Sequence, residues 1–147
     1  MTIDDLDKRI MNVLMSDSRL SYRKIAQKTG VSVATIMNRV NRLEKAKVIK
    51  GYTAMINYEE LGYDIDVMIS INVSKGKLFQ VENKISVDEN VLAVYDVTGD
   101  FDSVVIAKFK NRRMLDSYLK KIQTYDFVES TNTVMILNVI KNKQIML

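Results

Sequence analysis

The chain has 147 residues, with 22 Lys and Arg against 18 Asp and Glu, a net charge of +4, and neither cysteine nor histidine. Disulfides, thiolate metal sites and cysteine nucleophiles are excluded, and the commonest general base and metal ligand are missing, so an enzyme is disfavoured and no cofactor or metal is expected. No apolar run approaches the ~20 residues that span a bilayer, and nothing resembles a signal peptide, which predicts a soluble, cytoplasmic protein with no membrane partner.

Charge is unevenly divided. Residues 1–56 hold eleven Lys/Arg and five Asp/Glu, a balance of +6, whereas residues 57–147 hold eleven and thirteen, a balance of −2. Positive charge therefore gathers in the first part, as binding to a phosphate backbone requires. The length suits a small DNA-reading domain over 1–56 and a second domain over 57–147.

Taken in order, a first helix is expected from Asp4 to about Ser16, with Leu6, Ile10, Val13 and Leu14 inward. Asp4, Asp5 and Asp7 suit the positive end of its dipole. A short second helix follows Ser21, with Tyr22, Ile25 and Ala26 inward and Gly30 as its stop. Gly30-Val31-Ser32 makes a three-residue turn into a third helix capped by Ser32. Ile36, Met37, Val40 and Leu43 form its apolar stripe, and Ala34, Thr35, Asn38, Asn41, Arg42 and Lys45 lie opposite. Arg39 adds a further cation beside them. Short polar groups near a helix N-terminus, with cations behind them, suit base edges and phosphates respectively. Any surface helix has a polar outer face, but a short helix, a Gly-containing turn and a longer cationic helix in series form a helix-turn-helix.

Residues 48–56 are β-rich and suggest a wing or ribbon, and residues 57–62 a turn-prone linker. From Asp64 the period changes to two: Ile65, Val67, Ile69, Ile71 and Val73 alternate with more polar residues in a strand with one buried face. A helix over Leu78, Val81, Glu82 and Ile85 comes next, then strands over 91–98 and 101–109 joined by Gly99-Asp100. Asn111 caps a second helix carrying Met114, Leu115, Tyr118, Leu119 and Ile122, and residues 127–140 return to β before a tail that reads as frayed. The order β-α-β-β-α-β predicts a ferredoxin-like domain, an antiparallel four-stranded sheet with two helices on one face. Met68, Met135, Leu137 and Val139 are candidates for the uncovered face, whose apolar character predicts oligomers.

The chain resembles the Lrp/AsnC (feast/famine) transcription regulators over essentially its whole length. The matches are Asp4-Asp5-Leu6-Asp7-Lys8-Arg9-Ile10, Leu20-Ser21-Tyr22-Arg23-Lys24-Ile25-Ala26 and Val40-Asn41-Arg42-Leu43-Glu44. Val48-Ile49-Lys50-Gly51-Tyr52-Thr53-Ala54 and Val97-Thr98-Gly99-Asp100-Phe101-Asp102 follow in the same order. The resemblance implies an α+β protein: a winged helix-turn-helix followed by a βαββαβ ligand-sensing domain. It implies a regulator that binds double-stranded DNA, forms a homodimer assembling to tetramers or octamers, and takes an amino acid or similar effector between dimers. By the same resemblance Gly99, Asp100, Phe101 and Asp102, with Thr131 and Thr133, are the effector-site candidates. By pattern alone, Gly99-Asp100 reads first as an ordinary hairpin turn, and the two threonines are equally a sign of β-propensity. The family places Gly before the Val-Ile pair that follows the long helix. Here it is Lys47, so a non-Gly residue must take any left-handed cap, at about 1 kcal/mol, or the helix ends differently. An enzyme resembling the sirohaem decarboxylases is the alternative on this scaffold, and the absence of histidine weighs against it.

Overall fold

The chain enters its first helix through two reciprocal hydrogen bonds. In the computed structural model, which describes residues 2–147, the Asp7 N–H donates to Asp4 Oδ1 at 2.9 Å and the Asp4 N–H to Asp7 Oδ2 at 3.1 Å. This capping box satisfies two otherwise free donors and starts α1 at Asp5–Ser16. Helix α2, Tyr22–Thr29, is capped by the Ser21 side chain and stopped by Gly30 at φ 74, where a side chain would be strained. Helix α3, Val33–Lys45, begins with Ser32 Oγ accepting from the Thr35 N–H at 3.1 Å. Ile10, Ile25, Ala26, Ile36 and Val40 pack into one core, flanked by Leu6, Val13, Leu14, Leu20 and Val31.

Two residues expected inside lie outside it. Met37 is 44% exposed and Tyr22 37%. The buried stripe of α3 is Ile36, Val40 and Leu43 alone. Its i, i+4, i+7 spacing covers one narrow seam, and Met37 falls beside that seam. Helix α3 ends with Lys47 at φ 57, and the Val48 N–H reaches back to the Leu43 carbonyl at 3.0 Å. That is a left-handed C-terminal cap taken by a lysine, the first of the two outcomes expected from the missing glycine.

Residues 48–56 join no ladder among the described residues. A β-rich composition becomes a strand only where another strand offers its N–H and C=O groups. Tyr52 is tied down instead by its hydroxyl, which donates to Glu44 Oε1 at 2.8 Å.

The chain separates into two compact units, one running to Met55 and including Lys141–Leu147, the other Ile56–Ile140. The tail is therefore ordered against the first unit rather than frayed. The Asn12 amide both donates to the Leu147 carbonyl and accepts from its N–H, each at 2.9 Å.

In the second unit a 3-10 turn, Glu59–Leu61, precedes β1, Ile65–Val73. Helix α4, Leu78–Ser86, leads to β2, Val91–Asp96, and β3, Ser103–Phe109. Helix α5, Arg112–Gln123, starts with Asn111 Oδ1 accepting from the Met114 N–H, and β4 spans Val128–Met135. The strand order is β2-β3-β1-β4, and β1 pairs antiparallel with both its neighbours. Val67, Ile69, Ile71, Val105, Ala107 and Phe109 face the core with Val81, Ile85, Leu115, Tyr118 and Ile122 of the two helices.

Strand β4 is shorter than the expected 127–140. Among the described residues it pairs only with β1, which begins at Ile65, so the ladder runs out of partners just past Met135. Register also corrects the membership of the uncovered face. Met135 pairs with Val67 and so shares the helix-covered side, while Leu137 and Val139 lie beyond the strand. The uncovered face carries Met68 beside Ile106 and Val134, with Val104 next to Ser70.

Candidate functional site

The face of α3 opposite its core stripe is solvent-exposed from its first turn to its last. Ala34, Asn38, Asn41, Arg42 and Lys45 are exposed, and Thr35 and Arg39 are half-buried. Ser32 and Thr35 bond to one another through their hydroxyls at 2.8 Å while Ser32 caps the helix. Asn38, Asn41, Arg42, Lys45 and Ala46 together line an open depression of about 590 Å3. Amide, hydroxyl and cationic groups on one open helical face can donate to and accept from base edges while neutralising phosphates.

Two of the cations are already engaged. Arg39 Nη1 donates to Asp4 Oδ2 at 2.5 Å and to Asp7 Oδ1 at 3.2 Å, and Arg42 Nη2 donates to Asp7 Oδ2 at 2.5 Å. The Asp4 carboxyl is held down at about 2, first by the Asp7 backbone N–H and then by the Arg39 guanidinium. The carboxylate of Asp4, with that of Asp7, raises the Arg39 pKa in turn. Sequence reading assigned these acids to the helix dipole and missed the pairing. The one available signal was a run of acids at the start of α1 with no neighbouring cation spaced to balance all of them. The Tyr52 hydroxyl is pushed up to about 12 by burial and by the Glu44 carboxylate that it meets.

The candidate effector residues fall into two groups on the second unit. Gly99 and Asp100 are exposed at the tip of the β2–β3 hairpin, with Gly99 at φ 118, and Phe101 and Asp102 are half-buried behind them. Asp102 is tied to the fold at three points. Its N–H donates to the Ile71 carbonyl at 3.0 Å, its carbonyl accepts from Val97 at 3.1 Å, and its Oδ2 accepts from the Val73 N–H at 2.8 Å. Thr131 and Thr133 pair with Ile71 and Ile69, so both sit on the helix-covered side of the edge strand. Thr131 Oγ1 accepts from Gln123 Nε2 at 3.3 Å. Strand β1 thus lies between the two groups, with Ser103 and Thr131 on either side of Ile71. Two strand spacings separate them, about 10 Å.

These features define a class: a helix-turn-helix DNA-binding unit joined to an α+β unit with a four-stranded antiparallel sheet. A family model described as winged helix-turn-helix DNA-binding matches residues 3–50, and one described as the Lrp/AsnC ligand binding domain matches residues 66–146. The chain belongs to the Lrp/AsnC family of DNA-binding transcriptional regulators. An uncharacterized HTH-type transcriptional regulator of Pyrococcus abyssi is 46% identical over 139 residues, 95% of each chain. The HTH-type transcriptional regulator FL11 of Pyrococcus furiosus is 38% identical over 139 residues, 95% of this chain and 92% of its own. The structure of Escherichia coli AsnC superposes with a TM-score of 0.93 at 29% identity over 99% of both chains. A Neisseria meningitidis transcriptional regulator crystallised as a complex with L-Met shares the fold, with a TM-score of 0.89 at 21% identity over 97% of this chain and 94% of its own. These relatives and structures are transcriptional regulators, not enzymes. Among the described residues, no helix is long and apolar enough to cross a membrane.

Proposed function

We propose that this regulator reads a specific DNA site through α3 and that its DNA binding or assembly responds to a small effector, an amino acid, held by its ligand-binding domain. The observation that carries the first half is the open face of α3, with Ala34, Asn38, Asn41, Arg42 and Lys45 exposed above a fully buried stripe. Asn38 and Asn41 present amides suited to adenine edges. Ser32 and Thr35 lie at the helix start, and Arg39, Arg42 and Lys45 supply charge toward phosphates.

The effector reading rests on the ligand-binding domain and on the chemistry of its exposed hairpin. N–H groups near Gly99 suit a carboxylate, and Asp100 and Asp102 are acceptors for an ammonium. Phe101 supplies apolar surface, and Thr131 and Thr133 add hydroxyls across β1. The complex of the Neisseria meningitidis relative with L-Met supports an amino acid as the class to test. A homodimer, assembling further to tetramers or octamers, is supported by Met68, Ile106 and Val134 on the uncovered sheet face. A cytoplasmic location is part of this reading, since a DNA-binding regulator must share a compartment with its duplex.

The test combines two measurements on the whole protein. Duplexes are selected from a random-sequence pool, and the melting temperature is measured against each of the twenty amino acids. One consensus duplex is expected, together with one amino acid that stabilises the protein by about 2.7 kcal/mol at 100 times its dissociation constant. Failure to enrich any sequence overturns the specific-DNA reading. Twenty unchanged melting curves overturn the amino-acid reading.

A further inference from the structure

We infer that Asp7 is a positioning residue for DNA binding: its buried carboxylate holds the guanidinium groups of Arg39 and Arg42 in a fixed, partly exposed array beside the reading face of α3. The inference rests on α3 being the DNA-reading helix, as proposed above, and adds a residue on another helix that touches no base or phosphate itself.

The starting point is a charge in an expensive place. Among the described residues, Asp7 alone of the charged side chains is fully buried, at 0% exposure. A buried carboxylate is tolerated only when its oxygens are matched by donors, and the cap alone does not account for its partners. Helix capping uses one oxygen of Asp7, through the Asp4 N–H. The same carboxylate then receives Arg39 on Oδ1 and Arg42 on Oδ2, from a helix 32 and 35 residues further along the chain. Both oxygens are thus committed to cations that belong to α3.

The arginines are not consumed by this. A guanidinium carries five N–H donors. Arg42 commits one of them, through Nη2, and its side chain stays 42% exposed. Arg39 commits both donors of Nη1 and keeps the remainder, with its side chain 27% exposed. A long cationic side chain normally loses its rotamer freedom when it grips phosphate, and that loss weakens binding. Held in advance on a buried anion, it has already lost that freedom on folding. Pinning one edge of a planar fork also fixes where its other donors point, a geometric restriction that lysine would escape.

A competing role makes the opposite prediction. If Asp4 and Asp7 only neutralise the two arginines, removing an acid beside the phosphates strengthens DNA binding. If Asp7 positions them, removing it weakens DNA binding even though a negative charge is lost.

The test uses the full chain and a duplex selected from a random-sequence pool by the unaltered protein. Asp7→Asn keeps the shape and one acceptor while removing the charge. It is expected to weaken binding roughly fivefold or more, the size of one freed side chain, and to flatten the salt slope by about one. Arg42→Ala should cost much less in the Asp7→Asn background than in the unaltered protein. Asp4→Asn, at an exposed position that pairs with Arg39, serves as the second variant if Asp7→Asn does not fold. Binding should weaken there too, and Arg39→Ala should then cost less. Tighter binding by the folded acid variant, or arginine losses that simply add to it, overturns the inference. So does a lowered melting temperature with affinity and salt slope unchanged. If no duplex is enriched at all, the DNA-reading assignment of α3 fails first and this inference falls with it. If a duplex is enriched but the losses add, only the positioning role is lost.

Discussion

The Asp102 carboxylate accepts the backbone N–H of Val73 at 2.8 Å, just where the pairing of β1 with β4 shifts register between Asn72 and Val73. That N–H points to the β3 side, past the last β1–β3 pair of Ile71 with Ser103, and the side chain of the residue leading into β3 takes the ladder partner's place. Asp102 therefore has a structural duty whether or not it also meets an effector. A hydrogen bond to a charged acceptor contributes about 1.5–3 kcal/mol. Asp102→Ala should accordingly lower the melting temperature of the ligand-free protein by several degrees, with Asp102→Asn falling between. If effector affinity is retained in Asp102→Asn at a temperature where that variant is folded, the ammonium contact belongs to Asp100 instead.

Asn38 is the cleaner probe of DNA reading. It is exposed, and among the described residues its side chain makes no hydrogen bond. Asn38→Ala should leave stability within about 0.5 kcal/mol of the unaltered protein. It should relax preference at one base pair of the selected duplex by about 1–3 kcal/mol. A competition assay against single-base variants of that duplex measures it directly. Arg42→Ala differs, because the buried Asp7 loses one of its two cations. A measurable drop in melting temperature is expected alongside the loss of affinity.

Acid should loosen the first unit in a defined window. The Asp4 carboxyl sits at about 2 against an ordinary value of 3.8, so folding favours its ionised form. Its contribution is complete above the ordinary value and is lost as pH falls through the native one. Melting temperature should fall between about pH 4 and pH 2. Asp4→Ser keeps the cap oxygen but has nothing to titrate, so its curve should be flatter across that window. Parallel curves for the two proteins would show that another group governs the acid transition.

Lys47 offers a stabilising substitution. At φ 57 it occupies the left-handed region, where a Cβ costs about 1 kcal/mol. Lys47→Gly should raise stability by at most about that amount, less what the freer unfolded chain takes back. Chemical denaturation resolves the difference. A loss of stability would mean that the lysine side chain makes up for its backbone strain elsewhere.

What the sequence determined by itself was everything set by neighbours a few residues apart. Ser21, Ser32 and Asn111 stood at helix starts because a cap bonds three residues ahead, and Gly30 ended α2 because only glycine takes that conformation freely. Period-two alternation gave β1, and the order of elements gave the ferredoxin-like sheet, since both are written in local spacing. The partners of Asp7 and Asp102 were not legible, nor was the side of the sheet taken by Met135, Thr131 and Thr133. Arg39 and Arg42 reach Asp7 only because α3 crosses α1 near its N-terminus. A one-residue change in the β1–β4 register would move every β4 side chain to the opposite face. Helix crossings and strand register are fixed by the packing of whole cores, so contacts that depend on them appear only once the chain is folded.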